Sequence, residues 1–340
     1  MINISELIKC LEGMHHFSYE HVETNGCSAS NFFTVHSLNT GDRAYFAKLS
    51  DSSSDWLSLR SHDLGREGRL LSSPLAERLW KHLYNPYIKV MTEGNDYGLL
   101  MEDISSLLLG NLGARQIEDY DDFLLAALAK IHAEFWHDSL ELEAEYLMRP
   151  DSYLSIIGPY SLLKDYSQPI ARAVMSGWEK ARQILPPEIA AWISRPAGEI
   201  ASQWAHLPRT LVHGDFRPAN IGCTGTSAVL IDWAFCGYGP CTIDLYWFLA
   251  TTSCWRVSIE ASIRKYRKFL ESELGFVFDE KTWDELCQFG VVVACNMQLW
   301  EKALDFSEQG ATSQKDWNLW TQLLMNIVNS RPTLGGRRSR

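Results

Sequence analysis

Two short stretches hold the side chains that could act together chemically. The first is Leu211-Val212-His213-Gly214-Asp215-Phe216-Arg217-Pro218-Ala219-Asn220, and the second is Val229-Leu230-Ile231-Asp232-Trp233. Asp215 follows a short apolar strand, in a loop closed by Pro218. Asn220 stands where the chain enters a hairpin turning at Thr224-Gly225-Thr226-Ser227, and Asp232 stands where that hairpin leaves its second strand. A hairpin brings its open ends together, so Asn220 and Asp232 are expected as neighbours, with Asp215 close by. Two carboxylates and an amide carbonyl are hard oxygen ligands, which suit Mg²⁺ far better than zinc. Mg²⁺ keeps several waters and shares its shell with substrate phosphates. Asp215 can then accept a proton from a hydroxyl, and this division of labour is the one phosphoryl transfer from ATP needs. A helix cap with turn residues is the competing explanation. It does not account for an Asp-x₄-Asn spacing followed by an Asp at a strand end.

These groups need elements to hold them. In the first hundred residues, Phe32 to His36 and Tyr45 to Leu49 read as strands separated by the turn residues Asn39-Thr40-Gly41-Asp42. Ile88 to Thr92 and Tyr97 to Met101 form a second pair around Glu93-Gly94-Asn95-Asp96. Leu64 to Leu83 reads as partly helical, interrupted at Pro74. From Ile117 the period changes: Ile117, Tyr120, Leu124, Leu128, Ile131 and Phe135 share one helical face. Pro169 to Leu185, Val257 to Leu274, Lys281 to Leu304 and Trp317 to Val328 also read as helical, and the chemistry lies on a small β island among them. The expected fold class is α+β, with a small antiparallel-sheet N-lobe over residues 1–104 and a larger, mainly helical C-lobe over 105–330. Residues 331–340 are expected to form a loose tail.

Composition narrows the function. Of 340 residues, 46% are hydrophobic and 21% charged, enough to build a core. Lys plus Arg is 31 and Asp plus Glu is 42, so the net charge is 31 − 42 = −11, which argues against a nucleic-acid partner. The start, Met1 to Met14, has Glu6 and Glu12 and no apolar stretch, so no signal peptide is expected there. No run approaches the roughly 18 apolar residues that span a bilayer. The eight cysteines form no CxxC pair. The chain reads as cytoplasmic, with no membrane partner and reduced thiols.

With His213-Gly214-Asp215 and Asn220, Ile231-Asp232-Trp233, Gly237 or Gly239, and Asp244-Leu245 in place, the chain resembles the aminoglycoside phosphotransferase and choline kinase family. That family is a branch of the protein-kinase-like superfamily. The strong match covers about thirty-five residues, and weaker matches extend over most of the chain. The resemblance implies a protein-kinase-like two-lobe fold with ATP in the cleft, Asp215 as catalytic base, and Asn220 and Asp232 as Mg²⁺ ligands. It also calls for a phosphate-anchoring lysine. Lys48, a lone cation in Tyr45-Phe46-Ala47-Lys48-Leu49, is the candidate, against an edge-strand lysine turned to water. Its acidic partner is expected to be Glu67, with Glu77 the rival. The segment Asn25 to Asn31 would serve as the nucleotide loop, with Ser28 or Ser30 as donors, although it lacks the GxGxxG pattern of protein kinases. The backbone around Glu102, in Leu99-Leu100-Met101-Glu102-Asp103-Ile104, would meet the adenine edge. His132 and His213 are read as structural, as is Asp244.

Gly214 stands where protein kinases carry an arginine. Only eleven residues separate Asp232 from Asp244, and no Ala-Pro-Glu segment follows. A small molecule bearing a hydroxyl is therefore the expected acceptor, such as an aminoglycoside-like antibiotic or an amino alcohol. Gln116 to Glu145 carries nine acids against Lys130 alone. A site for a cationic acceptor is one reading of that run, and a solvated helical face is the preferred one. The alternatives to a small-molecule kinase are a nucleotide-binding pseudokinase or regulatory protein, an atypical protein kinase, and a metallohydrolase using the same acids. The sequence does not fix the oligomeric state, the acceptor, or ATP over GTP.

Overall fold

The computed structural model describes residues 2–9, 11, 17–22, 30–37, 44–51, 53, 55–112, 114–138, 145–159, 168–253, 256, 258–308 and 310–331. The first region begins with α1 (Ile4–Ile8), which Asn3 caps by accepting from the Ser5 amide at 2.8 Å. The strands β1 (Phe17–Val22), β2 (Asn31–Ser37) and β3 (Ala44–Ser50) follow. Three short helices come next: α2 (Trp56–Ser61), α3 (Arg66–Leu71) and α4 (Pro74–Leu79). After the short β4 (Leu83–Tyr84), β5 (Tyr87–Glu93) and β6 (Asp96–Glu102) complete an antiparallel sheet of order β1-β2-β3-β6-β5. One face of the sheet buries Val35, Tyr45, Ala47 and Leu100 against Ile4 and Leu7 of α1. Side chains alternate across a strand. Lys48, between Ala47 and Leu49, is therefore driven to the other face, paired in register with Leu99.

The second region is mainly helical. It contains α5 (Ala114–Asp119), α6 (Asp121–Glu134), α7 (Pro150–Ser155), α8 (Pro169–Ile184), α9 (Pro187–Ile193) and α10 (Ala197–Ser202). The β island follows: β7 (Thr210–Val212), β8 (Ile221–Cys223), β9 (Ala228–Leu230) and β10 (Gly237–Gly239). The chain closes with α11 (Thr242–Thr252), α12 (Ile259–Leu274), α13 (Glu280–Glu308) and α14 (Ala311–Ser330). The long α13 is the spine of this region and packs against α8, α11 and α14. At Gly177 the α8 backbone comes so close to the Trp300 carbonyl that an added Cβ would lie 2.3 Å from it. No described helix is long and apolar enough to cross a membrane.

The periodic face of Ile117, Leu124, Leu128, Ile131 and Phe135 is buried as its spacing requires. Pro74 does not interrupt a helix but opens one. It occupies the first turn of α4, where no backbone donor is needed, and Ser73 Oγ accepts from Leu75 N at 3.2 Å. The edge strand β1 and the short helices α7, α9 and α10 go beyond what periodicity indicated, because β1 is exposed along most of its length without alternation and each helix spans less than two turns. The expected turn at Asn39 to Asp42 lies outside the described residues, as does the tail after Arg331.

Candidate active site

The loop after β7 is held by its backbone. Asp244, fully buried in the first turn of α11, accepts from the amides of His213 and Gly214, both at 2.7 Å. His132 Nε2 sits 3.1 Å from the same carboxylate, and His132 Nδ1 lies 2.5 Å from the Tyr266 hydroxyl. His213 Nδ1 accepts from the Asp215 amide at 3.2 Å, so its proton lies on Nε2, which donates to the Ile231 carbonyl at 3.0 Å. His213 thus ties the Asp215 loop to the Asp232 loop. Gly214 has φ +79°, and an added Cβ would meet the Phe235 carbonyl at 2.1 Å. Gly225 has φ +93° with open space beyond it. Gly225→Ala should therefore lose only the left-handed backbone term of about 1–2 kcal/mol. Gly214→Ala should lose clearly more in the same denaturant titration, and equal losses would mean that the loop yields at Gly214.

Asp215 is 5% exposed. Its Oδ1 accepts from Trp247 Nε1 at 2.7 Å and its Oδ2 from Asn220 Nδ2 at 2.7 Å, with Arg217 Nε 3.1 Å away. Asn220 Nδ2 also donates to the Asp215 carbonyl at 3.0 Å. Both amide hydrogens therefore face Asp215, which turns the amide carbonyl oxygen away from it. The β8–β9 hairpin pairs Ile221 with Leu230, and the Ile231 amide donates to the Asn220 carbonyl at 3.1 Å, which sets Asn220 beside the chain leading to Asp232. Asp232 itself has φ 63° and ψ 65°, a left-handed conformation that Asp tolerates better than most residues.

From the sheet side, Lys48 Nζ lies 2.8 Å from Asp232 Oδ1 and 2.7 Å from Glu67 Oε2. Glu67 is 1% exposed and also accepts from the Tyr97 hydroxyl and the Trp233 amide, each at 3.0 Å. Glu67, in the first turn of α3, is thus the acid that meets Lys48, while Glu77 on α4 is exposed. The neighbouring Arg66 is buried, and its guanidinium donates to the carbonyls of Ala234 (2.5 Å), Tyr146 (2.7 Å) and Ser61 (3.0 Å). Two consecutive residues of α3 therefore grip the Asp232 loop, one through Trp233 N and the other through Ala234 O.

The oxygens available to a metal are the Asn220 carbonyl and the Asp232 carboxylate. Two protein oxygens fit Mg²⁺, which takes the rest of its octahedron from phosphates and water. No group of three or more His, Cys, Asp and Glu forms an all-protein cage among the described residues. Ser30, Phe32, Lys48, Asp215, Arg217 and Asp232 line a cleft of about 90 Å³. Ser28 lies outside the described residues. At Glu102 the amide donates to the Pro86 carbonyl at 2.9 Å, and the carboxylate accepts from the Tyr84 hydroxyl. Both its side chain and its N–H are thus engaged within the protein.

A model of the phosphotransferase enzyme family matches residues 26–277. The chain belongs to that family. No curated protein sequence matches it detectably. Among solved structures, this phosphotransferase is similar to the choline kinase LicA of Streptococcus pneumoniae (13% identity, TM-score 0.53, 95% of this chain and 99% of the other). It is also similar to a spectinomycin phosphotransferase solved with ADP and spectinomycin (14%, 0.54, 97% and 99%). A third is the ethanolamine kinase of Plasmodium vivax (13%, 0.52, 92% and 82%). At such identities the likeness is one of fold: an antiparallel-sheet region followed by a helical region, as in protein-kinase-like enzymes.

The phosphotransferase drives its two central carboxyls apart. Burial raises the pKa of Asp215. The Arg217 guanidinium opposes that rise, the Asp232 charge adds to it, and the Trp247 hydrogen bond opposes it. For Asp232 burial also disfavours the charge, but the Lys48 ammonium outweighs it and holds the pKa below the usual carboxylate value. Burial pulls Lys48 down while Asp232 and Glu67 push it up, and the acids win, so the ammonium stays charged. The two neighbouring carboxyls are thus shifted in opposite directions.

Trp247 is the contact that sequence reasoning missed. Trp204, Trp300 and Trp320 do not line the cleft. All three are buried, and Trp300 and Trp320 donate to Met297 O (2.8 Å) and Ser253 Oγ (3.0 Å). The available signal was spacing, since Trp247 lies three residues after Asp244 on the same face of α11. Trp247→Phe should lower kcat/KM about tenfold or more, the value of a hydrogen bond to a charged group. It should also move the acid limb of the pH profile upward, because one stabiliser of the ionised Asp215 is lost. An unmoved limb would separate Trp247 from the titrating group.

Among the described residues, no acid of the acid-rich stretch lines this cleft. Asp121 is buried against Arg256 (2.5 Å), Asp122 pairs with Lys265 (2.7 Å), and Glu134 and Asp138 hold Arg78 (2.9 and 2.5 Å). Glu141 and Glu143 lie outside the described residues. Asp122 is the solvated member of this set, whereas Asp121 is fully buried and Glu134 and Asp138 are half-buried, so the stretch is not simply a solvated helical face.

Proposed function

We propose that the protein is an ATP- and Mg²⁺-dependent kinase that moves the γ-phosphate to a hydroxyl of a small molecule. The observation that carries this is the convergence of Asp215, Asp232 and Lys48 on one cleft from two regions of the chain, with Asn220 bonded to Asp215 and Glu67 to Lys48. Asp215 orients the acceptor hydroxyl and takes its proton. Asn220 and Asp232 would hold Mg²⁺, which neutralises charge on the phosphates when bound. Lys48, steadied by Glu67, positions the α- and β-phosphates. Ser30 at the cleft wall, together with Ser28 in the same segment, would supply nucleotide-loop donors, and the backbone near Glu102 the adenine edge. Catalysis then comes mainly from positioning and charge neutralisation.

The Lys48–Asp232 contact holds a carboxylate oxygen that Mg²⁺ would need, and about 90 Å³ is well below the roughly 300–1,000 Å³ of ordinary ligand pockets. Nucleotide and metal binding would therefore compete with Lys48 for Asp232 Oδ1. The acceptor is proposed to be an aminoglycoside-like compound or an amino alcohol, because similar structures are named for choline, ethanolamine and spectinomycin. The test is ATP consumption with Mg²⁺ across aminoglycosides, macrolides, choline-like alcohols and sugars. Consumption that depends on one acceptor class is the expected result. Phosphate release without acceptor would indicate a hydrolase, label on protein a protein kinase, and ATP binding without turnover a pseudokinase. The intact set of Asp215, Asn220, Asp232 and Lys48 argues against the last.

A further inference from the structure

A cavity larger than the catalytic cleft lies apart from it. It measures about 490 Å³, within the range of small-molecule sites, and shares no lining residue with the cleft. It opens between the start of α7, the α10 helix with the turn that follows, and the β10 strand. Met148 and Tyr238 form one wall and Trp204 another. Arg209 and Asp215 lie at opposite ends of β7, six residues and at most about 20 Å of extended chain apart.

Its charge is unusual for this molecule. In a chain of net charge −11 the cavity has two guanidiniums, Arg149 and Arg209, against one carboxylate, Asp151. Arg66, Arg78, Arg256 and Arg267 each close on oxygen acceptors within the protein. The guanidiniums of Arg149 and Arg209 have no such partner among the described residues. The indole N–H of Trp204, a residue 2% exposed, also lacks a partner among them. Arginine is suited to planar, bidentate recognition of carboxylates and phosphates. The accessible apolar surface of Pro150, Ala201, Ala205 and Tyr238 would cover a hydrocarbon or ring body.

We propose that this cavity is a second ligand site, which takes a small organic oxyanion, a carboxylate or a phosphate monoester, with an apolar body. An occupant would rest on β10, which continues directly from the Asp232 loop. It would also touch α7, whose Tyr153 hydroxyl donates to the Phe235 carbonyl at 2.6 Å.

The test is calorimetric titration of the full-length protein with phenyl phosphate and with benzoate, using benzylamine and benzyl alcohol as charge controls. Saturating MgATP is present throughout, so that the cleft cannot take up the probe. One-site binding of phenyl phosphate, of benzoate or of both is expected, and the pattern shows which oxyanion the site prefers. The double variant Arg149→Gln/Arg209→Gln should bind about tenfold or more weakly, the value of a charge-assisted hydrogen bond. Gly198→Trp should block binding by filling the cavity, because a side chain there enters open space with no neighbour within 4 Å. Unchanged melting temperatures verify that both variants fold. Neither oxyanion binding, benzylamine binding equally well, or wild-type affinity in the double variant would overturn the proposal.

Discussion

Asp215→Asn should lower kcat by about 10²–10⁴-fold, the range for loss of a general base, while ATP still binds. The asparagine has nearly the same shape and can still accept from Trp247 Nε1, which meets Asp215 at 2.7 Å. It cannot take a proton from a hydroxyl. Thermal stability separates this loss from unfolding. Burial raises the Asp215 pKa above its unfolded value. The stability linked to its protonated form is therefore fully present below the unfolded pKa and declines as pH rises through the folded one. At neutral pH the native carboxylate carries that cost, and an asparagine, uncharged at every pH, does not. An inactive variant that still folds and melts close to the parent near neutrality is the expected pair of results, because relief of the buried charge offsets the lost acceptor for Asn220 Nδ2. The same shift moves the acid limb of wild-type kcat/KM upward from the usual aspartate position. Retained turnover in Asp215→Asn would remove Asp215 from the role of base.

The hairpin logic that made Asn220 and Asp232 neighbours was legible because it is local. Twelve residues, one turn and a register decide it, and the register pairs Ile221 with Leu230. Lys48 was legible for a similar reason, since alternation along β3 forces it to the face opposite Ala47. The partner of Lys48 was harder. Glu67 and Glu77 both lie on short helices after β3, and which one faces the sheet depends on how α3 docks under β5 and β6. No local pattern encodes that docking. Arg66 gave no signal at all, because its role lies in reaching three carbonyls contributed by segments up to 168 positions away. The acid-rich stretch shows the opposite case. Its charge was plain in the sequence, but its meaning depended on Arg78, Arg256 and Lys265, which approach from other elements.

Lys48→Met should lower kcat/KM by about 10²–10³-fold, as does removal of one preorganised charge-stabilising donor, and should also destabilise the protein. Lys48 and Glu67 have side chains only 9% and 1% exposed. Removing one member of such a pair leaves an uncompensated buried charge, which costs about 3–5 kcal/mol. Asp232 adds less to this, because its side chain is 38% exposed and water can solvate it. The two effects can be taken apart. In Lys48→Met/Glu67→Gln the second substitution removes the stranded charge, and the glutamine oxygen can still accept from the Trp233 amide. The double variant should therefore regain much of the lost stability in denaturant titration while its turnover stays low. Glu77→Gln, on the exposed face of α4, should leave both quantities near wild type. If the double variant regained turnover along with stability, Lys48 would be a structural ion-pair partner and not the group that positions phosphate. If Lys48→Met were as stable as the parent, the buried pair with Glu67 would not hold α3 against the sheet.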